Sequence, residues 1–301
     1  MSVPTAAAAQ AAWTYDDALA WLYGRQALGI KLGLDNMHEL LAAVGDPQHA
    51  FATVQVAGTN GKGTVTRLLA ATLTAAGHRT GAYTSPHLSQ FTERIRIDGQ
   101  PIGRADVAHH LATLRPHVAA MDAARRHSTF FEVATALALL HFRAASVTWA
   151  VLETGMGGRL DATNVVAPEA CIITNIGRDH MAQLGDSPQA IAAEKAGIMK
   201  TGVPCVTAAT EPALAVLKAF SRGLRVPMSI LGEDYHAWPQ PGGFRLANPH
   251  GEADYHLRVV CRDKEAYNEF LEGFMFRLPG IAHVRTNLIL KDIKLHGRLP
   301  V

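Results

Sequence analysis

Residues 56–64 read VAGTNGKGT; they follow the β-branched Thr53, Val54 and Val56 and open onto an amphipathic run over 65–76. A strand turning through glycines into a helix belongs to parallel α/β sheets, so this segment narrows the fold more than any other. Gly58, Gly61 and Gly63 carry no Cβ, which lets backbone N–H groups approach a polyphosphate beside a helix N-terminus. Thr59 and Asn60 complete the turn, Lys62 adds a positive charge, and Thr64 adds a hydroxyl able to ligate magnesium. The run departs from the pattern G-x-x-x-x-G-K-[ST] because Gly63 stands between Lys62 and Thr64. A glycine turn alone is more often a plain connection, but Lys and Thr at these positions favour a nucleotide.

Further apolar strand-like runs alternate with helical patterns, which predicts an α/β fold with a mostly parallel sheet covered on both faces. The expected strands are 53–57, 80–83, 149–153, 170–174 and 204–207, and the expected helices 65–76, 104–126, 131–143, 188–200 and 212–222. Ligands gather at the carboxyl ends of such strands. Ser85, Glu153 and the segment 175–180 all fall there. Glu153 closes WAVLE, before the glycine-bearing loop TGMGGRLDATN, where it can hold magnesium beside Thr64 or serve as a cap or salt-bridge partner. His180 in NIGRDH is a second candidate ligand, although a lone histidine is more often hydrogen-bonded or superficial. Ser85 in YTSPHL can equally be a turn residue before Pro86.

Lys and Arg number 28 against 26 Asp and Glu, a formal charge of +2, which implies no polyanion-binding surface and no nucleic-acid partner. With 48% apolar residues over 301, the chain can bury a sizeable core, and its length suggests about two domains. Cys171, Cys205 and Cys261 lack C-x-x-C spacing, which points away from a disulfide framework and towards a reducing compartment; Cys171 and Cys205 lie in apolar runs that read as buried strands. The alanine-rich stretch before Trp13 has neither the basic flank of a secretion signal nor the length of an anchor. These features predict a cytoplasmic protein without a membrane partner.

Six segments in order, VAGTNGKGT, YTSPHLSQFTERIRIDG, FFEVATALAL, LETGMGGRLDATN, ITNIGRDHMAQLG and EKAGIMK, resemble the folylpolyglutamate synthase and dihydrofolate synthase family of the wider Mur ligase group. The likeness runs from about residue 13 to about 245. It implies a P-loop NTPase-like domain of Mur ligase type, and an ATP-dependent ligase joining L-glutamate to a pteroate or folate carboxylate through an acyl phosphate. By the resemblance, Gly58, Thr59, Asn60, Gly61, Lys62, Gly63 and Thr64 hold ATP. Thr64, Ser85 and Glu153 hold one Mg2+, and Glu153 with His180 a second. Lys195 matches a lysine that is carbamylated in the family and orients the second metal; unmodified, it reads as an exposed helix lysine. Thr129, Phe131, Asp161 and Ala162 fall where the family contacts the pterin-bearing substrate, dihydropteroate or a reduced folate, although Phe131 also suits a core position.

The family continues into a separate C-terminal domain, whereas residues 246–301 here resemble the latter half of the effector domain of the leucine-responsive regulatory protein family. Their pattern predicts strand 255–260, helix 264–277 and strand 285–294, with the Pro- and Gly-rich 238–251 as a boundary. The expected division is therefore 1–245 and 246–301. A strand–helix–strand unit of this size has too little core to stand alone, so it packs on the first domain or completes a sheet in a homo-oligomer. Two readings stay open: an active glutamate ligase, or a MgATP-binding chain with a regulatory or self-association tail.

Overall fold

The computed structural model describes residues 13–29, 31–177, 187–240, 243–247 and 255–258. The backbone gathers into two compact units, Met1–Met228 and Ser229–Val301.

A sheet organises the first unit: β1 Ala52–Ala57, β2 Thr80–Tyr83, β3 Ile95–Ile97, β4 Gln100–Pro101, β5 Trp149–Glu153, β6 Ala170–Ile173 and β7 Cys205–Thr207, in the order β4-β3-β2-β5-β1-β6-β7, with an eighth strand, β8 Met228–Ile230, beginning at the unit's last residue. Its helices are α1 Tyr15–Gly24, α2 Asp35–Ala43, α3 Lys62–Ala75, α4 Arg104–Ala123, α5 Phe130–Ala144, α6 Pro188–Ala196 and α7 Ala213–Leu224. Strands β1 and β5 pair in parallel with Val54 opposite Val151, and β2, β6 and β7 extend the parallel part. Both central strands are buried along almost their whole length, so their sequences read as continuous apolar runs rather than alternating ones. On one face, α3 packs Val65, Leu69 and Leu73 against Val54, Val56 and Val151. On the other, α5 seals the sheet so closely that a Cβ on Gly81 would lie 2.7 Å from the Phe142 ring.

All five expected strands and five expected helices are present; 80–83 and 149–153 have the expected bounds, and the others have shifted ends. The first turn of α3 begins at Lys62, three residues before the apolar periodicity starts, because the glycine motif itself forms that turn. Helix α4 stops at Ala123, where Arg125 adopts a left-handed φ of 58° and the Arg126 N–H turns back to Met121 O. Helix α6 ends at Ala196 rather than 200, and Ile198 and Met199 turn into the core. Cys171 and Cys205 are fully buried and face each other in register on β6 and β7.

Helices and strands of this sheet outside the expected set are α1, α2, the antiparallel edge β3–β4 and the far edge strand β8. Thr14 starts α1 through a reciprocal capping box with Asp17. The β3–β4 turn uses Asp98 and Gly99, both at positive φ, the geometry that Asp-Gly favours in a tight hairpin.

In the second unit, strands β9 His236–Gln240, β10 Gly243–Ala247 and β11 Tyr255–Arg258 form an antiparallel sheet in the order β11-β10-β9. The stretch expected to be a boundary thus carries the end of β9 and all of β10, which pair antiparallel with Gly243 opposite Gln240. Of the expected tail elements, the first strand is observed as Tyr255–Arg258; the helix 264–277 and the strand 285–294 lie outside the described residues.

Candidate active site

The loop between β1 and α3 is clamped from the end of β6. Thr59 N–H donates to Asn175 O at 2.9 Å and Asn60 N–H to Asn175 Oδ1 at 2.9 Å, while Thr174 Oγ1 donates to Asn60 O at 2.7 Å. Gly58 lets this happen, because a Cβ there would lie 1.9 Å from Thr174 Oγ1. The expected succession of ligand-facing amides is therefore shorter: the N–H groups of Thr59 and Asn60 are spent on Asn175. Those of Lys62, Gly63 and Thr64, at the start of α3, have no acceptor within the helix and remain suited to an anion. Lys62 Nζ rests on its own loop, donating to Gly58 O at 3.0 Å and Thr59 O at 3.1 Å.

Glu153, at the end of β5, faces this helix start. A Cβ on Gly63 would lie 3.2 Å from Glu153 Oε2, so a larger residue between Lys62 and Thr64 would press on the carboxylate. The same oxygen accepts Ser85 N–H at 2.9 Å, which makes Ser85 more than a turn residue. Glu153 is 4% exposed, and among the described residues no Lys, Arg or His lies within ion-pair distance of it. Burial raises its pKa, and the Ser85 N–H and the charges of Lys62 and Arg67 oppose that rise. A buried carboxylate without a direct counter-charge, beside an open helix N-terminus, fits a divalent cation shared with phosphate oxygens. Among the described residues no three His, Cys, Asp or Glu gather in a metal-binding cluster, so a cation here would draw its remaining ligands from hydroxyls, phosphate and water. His180 lies outside the described residues.

Lys195 is not an exposed helix lysine. It is 4% exposed on α6, and its Nζ donates to Gly58 O at 2.8 Å, so it touches the glycine loop from beneath. The loop after β5 holds α6 in place. Arg159 pairs with Glu194 at 2.8 Å, and Asn164 Nδ2 donates to Arg159 O and Gly197 O at 2.9 and 3.1 Å.

The remaining candidates line this second loop and the start of α5. Thr129 caps α5 in a reciprocal box with Glu132. Phe131 lies over Gly155, where a Cβ would come 2.5 Å from its Cζ, and tilts against Tyr83 with 6.0 Å between ring centres. Asp161 turns inward: Oδ1 accepts Thr163 N–H and Oγ1 at 3.0 and 2.6 Å, and Oδ2 accepts Met156 N–H at 2.8 Å. Burial raises its pKa while these bonds lower it. Ala162 is buried beside it in the core. Asn175 was absent from the expected site, although the segment ITNIG that contains it was not.

The Mur ligase middle domain family matches residues 56–239, and the Lrp/AsnC ligand binding domain family matches 247–299. A dihydrofolate synthase/folylpolyglutamate synthase of Bacillus subtilis is 44% identical over 207 residues, covering 68% of this chain and 48% of its own. The folylpolyglutamate synthase of Thermotoga maritima superposes with a TM-score of 0.74 at 33% identity, over 86% of this chain and 62% of its own. A relative solved as an FPGS-AMPPCP-folate complex gives 0.73 at 33% identity, over 82% and 62%. The chain belongs to the Mur ligase family through its middle domain, and within that family to the folylpolyglutamate synthase and dihydrofolate synthase branch. It spans about half the length of the Bacillus relative.

Proposed function

We propose that this chain is an ATP-dependent carboxylate–amine ligase that joins L-glutamate to the carboxylate of dihydropteroate or a reduced folate. One observation carries the reading most directly. Glu153 is buried without a direct counter-ion, held by Ser85 N–H, and set against Gly63 at the open start of α3. Such a site suits magnesium and a triphosphate together.

A carboxylate is a poor acyl donor at neutral pH, and transfer of a phosphoryl group from ATP would give it a good leaving group for the glutamate amine to displace. The chain's part is electrostatic. Amides at the start of α3 bind phosphate oxygens, and Lys62 leaves its two carbonyls to neutralise the moving phosphoryl group. Thr64, Ser85 and Glu153 would hold one Mg2+, which offsets phosphate charge, and Glu153 with His180 a second. Lys195, carbamylated, would orient that second ion. Thr129, Phe131, Asp161 and Ala162 would border the pterin-bearing substrate. A cytoplasmic setting, with small molecules as the partners and neither membrane nor nucleic acid among them, belongs to the same reading; no helix among the described residues is long and apolar enough to cross a membrane.

Product analysis by mass spectrometry tests the reading, after incubation with MgATP, glutamate and each of dihydropteroate and tetrahydrofolate. A mass increase of one glutamyl residue is the expected result. The second reading, a MgATP-binding chain that does not ligate, is favoured by the Lrp/AsnC match at 247–299. On that reading 1–245 binds nucleotide and 246–301 self-associates. Nucleotide binding with phosphate release at background, together with a dimer in light scattering, would favour it.

A further inference from the structure

Arg94 ends a short 3-10 turn, Phe91–Arg94, just before β3, and it is 7% exposed. Buried guanidinium groups are ordinarily paired with carboxylates, because an unpaired charge in a protein interior costs several kcal/mol. Among the described residues, none lies within ion-pair distance of Arg94. The adjacent acid is committed elsewhere. Glu93 takes the N–H groups of Leu88, Ser89 and Gln90 at 2.9, 3.0 and 2.6 Å.

Arg94 is nevertheless held in a fixed pose. Its Nε donates to His87 Nδ1 at 2.8 Å, which leaves the His87 proton on Nε2, 3.5 Å from the Tyr23 hydroxyl. Its guanidinium carbon stands 5.3 Å from the centre of the Phe130 ring, and Tyr23 stacks on Phe130 at 9°. The charge of Arg94 also acts on the buried Tyr83 hydroxyl, and Tyr83 in turn meets Phe131 over Gly155. A fixed cation without an anion among the described residues, flanked by stacked aromatic rings and backed by the strand end that leads to Ser85, is the recognition chemistry of an aromatic carboxylate. Thr84 N–H donates to Arg94 O at 2.8 Å, so the turn carrying the guanidinium is tied to the backbone immediately before Ser85.

We infer that Arg94 binds a carboxylate of the acceptor substrate, so that the substrate itself supplies the counter-ion this cation lacks. The inference rests on the proposed ligase reading and adds to it a residue outside the phosphate loop and the metal ligands. Arg94 would then select acceptors by charge, while the aromatic rings select them by shape.

The test uses the full chain and isothermal titration with two probes, dihydropteroate and its carboxamide, which differ in charge but hardly in shape. AMPPCP binding and circular dichroism serve as independent readouts. The unaltered chain is expected to prefer the carboxylate by about 10- to 100-fold, the range of one or two charge-assisted hydrogen bonds. Arg94→Gln should lose that preference and keep AMPPCP affinity, and Arg94→Lys should retain part of it. Equal binding of both probes by the unaltered chain overturns the inference and leaves the ligase reading standing, as does a preference that survives in folded Arg94→Gln. Should Arg94→Gln fail to fold, the unaltered chain and Arg94→Lys decide. Binding of AMPPCP with neither probe bound overturns the ligase reading and the inference with it.

Discussion

Two glycine-bearing loops leave the carboxyl edge of the sheet, and they use their glycines for opposite ends. The loop after β1 ends in an open helix start, and Gly63 keeps side-chain bulk away from the Glu153 carboxylate. The loop after β5 is closed on itself: Gly155 admits the Phe131 ring, and Asp161 gathers Met156 N–H and the Thr163 amide and hydroxyl. Glycine content alone therefore does not mark a ligand loop. What separates the two is where the backbone donors point, into solvent at the start of α3 and onto an internal carboxylate in the other loop.

Four substitutions break or sharpen this contrast. The largest effect is expected for Lys62→Ala, with phosphate release falling about 10²–10³-fold, since a preorganised charge opposite the transferring group is lost. Melting should change by under about 0.5 kcal/mol, because Lys62 is bonded only to its own loop. Next is Gly155→Ala, expected to destabilise by about 1–3 kcal/mol in urea unfolding through overpacking against Phe131, with AMPPCP affinity kept. An equal loss of nucleotide binding would erase the distinction between the loops.

Glu153→Gln should weaken magnesium-dependent nucleotide affinity about tenfold while affinity without magnesium stays level. It also has a pH signature. Burial raises the Glu153 pKa above its ordinary 4.5, so the folded chain holds that proton more tightly than the unfolded one. This group's contribution to stability is complete below pH 4.5 and is lost as pH rises through the folded pKa. Glutamine does not titrate, so the variant should gain stability relative to the parent across that interval in melts at stepped pH. The smallest effect is expected for Thr129→Ala, about 1 kcal/mol from loss of the α5 cap.

Local pattern made the sheet, its main helices and the glycine loop legible, because buried parallel strands announce themselves as apolar runs. The convergence of Ser85, Glu153 and the loop was legible too, since all three fall at strand ends. Long-range geometry was not. Nothing near Lys195 in sequence says that its ammonium reaches Gly58, more than a hundred residues away, and nothing near Asn175 says that it closes the β1 loop. Arg94 escaped for a different reason: it reads as an ordinary charged residue in ERIRI, and only its burial without an acid distinguishes it. The antiparallel pairing of β9 with β10 escaped because Pro and Gly in a sequence mark linkers as readily as strand ends.

The resting position of Lys62 has an effect on which anions the loop admits. An incoming anion must draw the ammonium off two carbonyl dipoles before it gains anything from the charge. Chloride or acetate offers too little in return, whereas a triphosphate, with several charges to share between the lysine and the helix start, makes the exchange favourable. On the proposed reading the loop would act as a threshold that discriminates by valence before base or sugar is recognised.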